Sequence, residues 1–238
     1  MNGITRLLTS SVGKKYLMAI TGTILSLFVL GHMIGNLQFF LPAHWINSYA
    51  HHLQALPYGL LWVIRAVMLT TVIVHITVGI LLTLHNMQAR PGYEVDATIQ
   101  ASFGSRTMIW TGLVLFAFIV FHLLHYTVKS VQDFSAIPMV SLEGVSEMVP
   151  NVQAIMYQGF SVWYFSVFYI VAVGLLLFHL SHGVASVFQT VGLRNEVWRK
   201  RLECIAYLYG AAVFCGFASI PVSVLLDKYA FPNLLSCF

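Results

Sequence analysis

Four histidines, His32, His75, His122 and His179, lie in four separate apolar stretches of this sequence. A metal-binding side chain at membrane depth is costly to place there and marks a functional site by default. With about 1.5 Å of rise per helical residue, His32 falls roughly 15 Å before Pro42 and His122 roughly 10 Å before Lys129. On the same scale His75 falls roughly 27 Å beyond Pro57, and His179 more than about 30 Å beyond Tyr157. His32 and His122 are therefore expected to share an outer layer and His75 and His179 an inner one, the layers roughly 10–20 Å apart. Two imidazoles at one depth are what a bis-histidine haem requires. The chemistry expected of this spacing is electron transfer through two b-type haems.

The neighbours of these histidines refine the assignment and leave alternatives open. His75 and His179 each precede a glycine by four residues, Gly79 and Gly183, on the same helix face. Glycine at that offset clears room for a macrocycle, as Gly31 and Gly35 can beside His32; the bland reading is small-residue helix packing. His125 and His182 follow His122 and His179 by three residues and are rival ligands, or partners for a haem propionate. Arg65, about two turns into the second stretch, either pairs with a propionate of the outer haem or snorkels to the interface. In the first outer loop Asn47, His51, His52 and Gln54 sit among Trp45 and Tyr49. That cluster suits a quinone headgroup, or is an ordinary aromatic belt. His85 is read as interfacial.

Five helices must position these groups. Of the 238 residues, 58% are hydrophobic and 8% charged, with mean hydropathy +0.81. Soluble domains carry about 25% charge, so the chain is expected to be an integral, multi-pass membrane protein forming a single all-α domain over 1–238. Spanning helices are expected at about 16–41, 58–86, 107–128, 157–188 and 204–226. The first is read as a retained helix, because no small-residue cleavage site accompanies it. Pro138 and Pro150 punctuate the third connection, where a short helix is expected around 139–149.

Arg6, Lys14, Lys15, Arg90, Arg106, Arg194, Arg199, Lys200 and Arg201 collect on one side, against Lys129 and Lys228 on the other. The N-terminus is thus expected to be cytoplasmic and the C-terminus outside. All eight acidic residues fall outside the hydrocarbon core, which disfavours a proton pump or cation transporter. Cys204, Cys215 and Cys237 form no CxxC, which disfavours protein-ligated iron–sulfur clusters and covalent haem. Nothing points to nucleic acid.

Ser10 to Lys15 (Ser-Ser-Val-Gly-Lys-Lys), Met18-Ala19-Ile20-Thr21-Gly22, His32-Met33-Ile34-Gly35-Asn36, Asn47-Ser48…His51, His75…Gly79, Phe121-His122 and Phe178 to Gly183 running on to Phe188-Gln189 occur in this order. In that order the chain resembles the cytochrome b558 subunit of succinate dehydrogenase/fumarate reductase, the dihaem anchor of complex II, over nearly its whole length. The resemblance implies a five-helix bundle in a bacterial cytoplasmic (inner) membrane. It implies a proximal haem on His75 and His179 and a distal haem on His32 and His122. Flavoprotein and iron–sulfur subunits are the implied partners, with a higher oligomer of the complex allowed, and menaquinone is the family's usual substrate. Relatives can carry an acid where Gln54 stands, so proton handling would fall to His51, His52 or water. The rival classes are an anchor of a hydrogenase or formate dehydrogenase, a non-haem diiron membrane enzyme, and a transporter.

Overall fold

A chain surrounded by lipid must satisfy its backbone internally, and long apolar runs do so as helices. The computed structural model describes residues 10–88, 103–193 and 195–237. Arg6, Arg90, Arg194, Glu94 and Asp96 lie outside them. The helices are α1 (Ser11–Leu37), α2 (Ala43–Gln54), α3 (Leu60–Gln88), α4 (Phe103–His122), α5 (Val152–Phe160), α6 (Trp163–Thr190) and α7 (Glu196–Tyr229). A π-helical turn, Leu123–Thr127, continues α4.

Among the described residues five segments are long and apolar enough to cross a membrane: Ser11–Phe40, Pro57–Gln88, Thr107–Thr127, Trp163–Thr190 and Glu196–Tyr229. The shortest has 21 residues, about 31 Å of helix, which matches about 30 Å of hydrocarbon. Only 11% of the spanning windows of α3 and of the Thr107–Thr127 segment is buried. Their apolar side chains face outward, as lipid rather than water would favour.

Side-chain caps explain where the helices start. Ser10 Oγ accepts from Gly13 N (3.0 Å), Asn151 Oδ1 from Ala154 N (3.1 Å) and Asn195 Oδ1 from Trp198 N (2.9 Å). The first span therefore begins at 11 rather than 16. The last begins at 196 rather than 204, taking Arg199–Glu203 into its first turns. There the Arg201 guanidinium lies 5.2 Å from the Trp198 ring centre.

Two expectations are corrected. The stretch 139–149 is not helical: Val140 and Val149 exchange both backbone bonds at 2.8 Å as an antiparallel bridge. Pro150 keeps Val149 extended, and Gly144 turns the chain at φ +77°. The short helix lies later, at α5. The expected span 157–188 likewise divides at Ser161-Val162. The carbonyls freed there find other donors: Ser166 Oγ donates to Phe160 O (2.5 Å) and Lys228 Nζ to Ser161 O (2.9 Å).

The described residues form two compact units. The first comprises the described parts of Met1–Val29, Arg65–Leu113 and Leu176–Ala211. In it Ser26 Oγ donates to the Tyr209 hydroxyl (2.9 Å), which donates to Ser26 O (2.7 Å). A Cβ at Gly210 would lie 2.8 Å from Leu177 O, so glycine permits the backbones of α6 and α7 to approach closely.

The second unit comprises Leu30–Ile64, Val114–Leu175 and the described part of Ala212–Phe238. Its core joins Phe39, Ile46, Met156, Phe160, Tyr169, Ile220 and Val224. Asn47, 2% exposed, ties α2 to α5. Its Oδ1 accepts from Val152 N (2.7 Å) and Gln153 N (3.3 Å), and its Nδ2 donates to Asn151 Oδ1 (3.4 Å). Asn47 is therefore part of a helix cap rather than of an open polar cluster. The Tyr157 hydroxyl donates to Asp227 Oδ2 (2.7 Å), while Asp227 Oδ1 accepts from Leu235 N (2.8 Å).

Two predictions follow from these ties. Asn47→Ala strands two amide donors and should lower stability by about 1–2 kcal/mol, read as a thermal shift of the purified protein. Asn47→Asp, which keeps the acceptor, should lose much less. The hydrogen bond to Asp227, with burial, pushes the Tyr157 phenol up from 10.0 to about 12. A raised acid stabilises the fold in its protonated form. That contribution is complete below pH 10 and disappears as pH rises through about 12. Phenolate absorbance and melting temperature against pH should show it, and Tyr157→Phe should abolish it.

Candidate functional site

In the first unit α3 carries His75 and α6 carries His179, with ring centres 6.3 Å apart and planes at 61°. His75 Nδ1 lies 3.0 Å from Thr21 Oγ1 on α1, and His179 Nδ1 lies 3.2 Å from Thr111 Oγ1 on α4. In the second unit α1 carries His32 and the end of α4 carries His122, with ring centres 5.9 Å apart and planes at 77°. Phe217 and Phe118 flank this pair, 5.8 Å from His32 and 5.9 Å from His122. The Asn36 amide donates to His32 O (2.7 Å) and lies 3.3 Å from both nitrogens of that ring.

These separations can be weighed against a metal held between two rings. An imidazole nitrogen binds a transition metal at about 2 Å. With ring bonds of about 1.3–1.4 Å, that nitrogen lies about 1.1 Å from its ring centre. Two imidazoles on opposite sides of one ion therefore have ring centres about 6 Å apart. Both pairs have that spacing, and axial ligands can adopt any angle between their planes.

The rival histidines are occupied otherwise. His125 is fully buried, with Nδ1 3.1 Å from the Tyr169 hydroxyl and Nε2 3.1 Å from Gln132 Oε1. His182 Nε2 meets Ser186 Oγ at 3.1 Å, one turn along its own helix. The π turn places His122 and His125 on one phenol, since His122 Nδ1 is 3.3 Å from the same Tyr169 hydroxyl. Such turns recur at functional sites.

The proton positions along this chain follow in order. Gln132 Nε2 donates to Gln158 O (3.2 Å), so its Oε1 faces His125 and accepts the Nε2 proton. A neutral His125 then accepts at Nδ1 from the Tyr169 hydroxyl. That phenol has no second proton, so it accepts from His122 Nδ1–H. Nε2 of His122 is left as a bare lone pair, the form that ligates a metal.

The glycines divide by role. A Cβ at Gly183 or Gly31 would meet nothing within 4 Å, so neither serves helix packing and both leave open room. At Gly79 it would touch Met18 Cε at 3.5 Å, an ordinary contact. At Gly35 it would strike the Tyr49 phenol at 2.8–2.9 Å. Gly35 therefore makes room for Tyr49 rather than for a macrocycle beside His32.

Of the remaining candidates, Arg65 is exposed in the second turn of α3 and His85 is exposed near its end. On α2, His51 is half-buried and Gln54 exposed, while His52 Nδ1 donates to Ser48 O (2.7 Å). A cavity of about 530 Å³ beside α5 is walled by residues including Phe39, Gln153, Tyr157 and Gln158. His51 and Gln54 are not among its walls. Its amides are already engaged: Gln153 donates to Phe39 O (2.9 Å) and Leu41 O (3.1 Å), and Gln158 to Asp133 O (3.0 Å).

Sequence reasoning missed Thr21, Thr111, Tyr169 and Gln132. Each is separated from its histidine by the fold except Gln132, seven residues after His125. Tyr169→Phe leaves two imidazole nitrogens without their shared partner. It should destabilise the protein by about 1–3 kcal/mol, measured as a shift of the thermal transition.

No family model, curated protein or solved structure matches this chain.

Proposed function

We propose that the chain is the dihaem cytochrome b membrane anchor of a succinate:quinone oxidoreductase. In this role it carries electrons between an iron–sulfur subunit and a membrane quinone, of which menaquinone is the family's usual one. The observation that carries the reading is the pair of facing imidazole couples, His75 with His179 and His32 with His122, at 6.3 and 5.9 Å. Each couple has the spacing of two imidazoles that could share one ion. The bare Nε2 of His122 and the open space at Gly31 and Gly183 suit the same group.

Haem, when bound, supplies a one-electron Fe(III)/Fe(II) couple. The protein supplies the rest. His75 and His179 would hold one iron and His32 and His122 the other, as neutral imidazoles. Tyr169, His125 and Gln132 fix the orientation of His122, and the apolar helices exclude water. His51 and Gln54 on α2 are assigned as hydrogen-bonding groups toward the quinone headgroup, and Arg65 as a counter-charge toward propionate. The basic face with Lys14, Lys15, Arg199, Lys200 and Arg201 receives the iron–sulfur subunit from the cytoplasm, in keeping with a cytoplasmic N-terminus.

A diiron enzyme needs several histidines and carboxylates converging on one site. Among the described residues no group of three or more His, Cys, Asp or Glu could hold a metal. An anchor of a hydrogenase or formate dehydrogenase is the reading closest in chemistry.

A pyridine haemochrome assay should give two b haems per chain. His75→Ala or His179→Ala should remove one, and His32→Ala or His122→Ala the other, each leaving the remaining spectrum in place. One haem or none in the native protein would refute the assignment. A flavoprotein that co-purifies and lets succinate reduce the haems separates this anchor from those of other complexes.

A further inference from the structure

The two histidines of the first unit are supported alike, each by a helix other than its own. Thr21-Gly22 on α1 faces His75, and Thr111-Gly112 on α4 faces His179. Both threonines are buried, at 7% and 6% exposure. In each case the hydroxyl meets Nδ1, at 3.0 and 3.2 Å. In each case the glycine backs the Cε1 edge of the ring, where a Cβ would stand 3.4 or 3.5 Å away. The same dipeptide does the same work on two unrelated stretches of sequence.

A threonine hydroxyl has one proton to donate. Thr21 directs it to Leu17 O (2.7 Å; Met18 O is at 3.3 Å). Thr111 directs it to Thr107 O or Met108 O, both at 3.1 Å. With that proton given to its own helix, each oxygen accepts from the imidazole, an arrangement that matches an Nδ1–H tautomer of both rings. That tautomer leaves both Nε2 atoms as bare lone pairs. A neutral ring without this acceptor is free to place its proton on Nε2, where it blocks ligation.

We propose that Thr21 and Thr111 are positioning residues that fix His75 and His179 as Nδ1–H tautomers and so prepare both Nε2 atoms to bind one metal ion. Holding the Nδ1 proton also makes the imidazole a more basic ligand. A more basic ligand favours the higher oxidation state, so the threonines keep the midpoint potential of the metal lower. The effect on the potential rests on the haem reading above; the tautomer assignment does not.

The test compares full-length native protein with Thr21→Val, Thr111→Val, Thr21→Ser and Thr111→Ser in lipid nanodiscs. Haem is counted by pyridine haemochrome, and midpoints are read by optical redox titration. The haem that disappears in His75→Ala identifies the relevant signal. Expected are an upward shift of that midpoint, or loss of that haem alone, in both valine variants, with native behaviour restored by serine. A retained haem with unchanged midpoint in both valine variants overturns the proposal, as does serine failing to restore what valine removes. If the native protein holds no haem, the functional reading fails, and 15N spectra of histidine-labelled protein decide the tautomer. Nε2–H signals that grow in the valine variants uphold the assignment, and unchanged spectra overturn it.

Discussion

A hydroxyl buried in an apolar helix has a single proton, and its destination fixes what its neighbours can do. Thr21 and Thr111 give theirs to carbonyls of their own helices, so their oxygens face the imidazoles as acceptors. Tyr169 has no such carbonyl; its proton goes to a histidine whose other nitrogen is held by Gln132. The routes differ and the outcome is shared: His75, His179 and His122 all keep Nδ1 protonated. Lipid offers no water to soften the choice, so a few hydrogen bonds govern the state of these three rings.

The architecture was largely legible because its cause is local. Five apolar runs make five helices, since a spanning backbone has no other way to satisfy itself. The misreadings occur where hydropathy is silent. Ser161-Val162 lies inside an unbroken apolar run, and only the acceptors and donors around it, Ser166 and Lys228, reveal the break. The stretch between Pro138 and Pro150 has the boundaries of a helix but the β-branched pairing of Val140 with Val149. Helix starts were shifted by caps, which depend on single residues such as Asn195 rather than on periodicity.

The candidate site was legible in its principal members and hidden in its supports. Depth along a helix is one-dimensional, and it groups the same histidines whose rings the fold brings 5.9 and 6.3 Å apart. Depth favoured His122 over His125 but did not foresee that the π turn brings both onto Tyr169, because such a turn leaves no signature in composition. Thr21 and Thr111 look like any small residue in an apolar helix, and their role arises from partners 54 and 68 residues away. Asn47 read as a free polar group because its partners, the amides of Val152 and Gln153, lie more than a hundred residues on.

The support of His75 by α1, and of His179 by α4, also bears on how the protein is made. Neither imidazole takes its Nδ1 partner from its own helix, so α3 and α6 alone do not supply it. The contact waits until α1 has docked on α3 and α4 on α6. On the proposed dihaem reading, metal binding at this pair would be tied to the completion of tertiary structure, since the Nδ1 acceptors come from other helices. On that reading a pair of threonines, neither of them a proposed ligand, would act as a checkpoint in assembly.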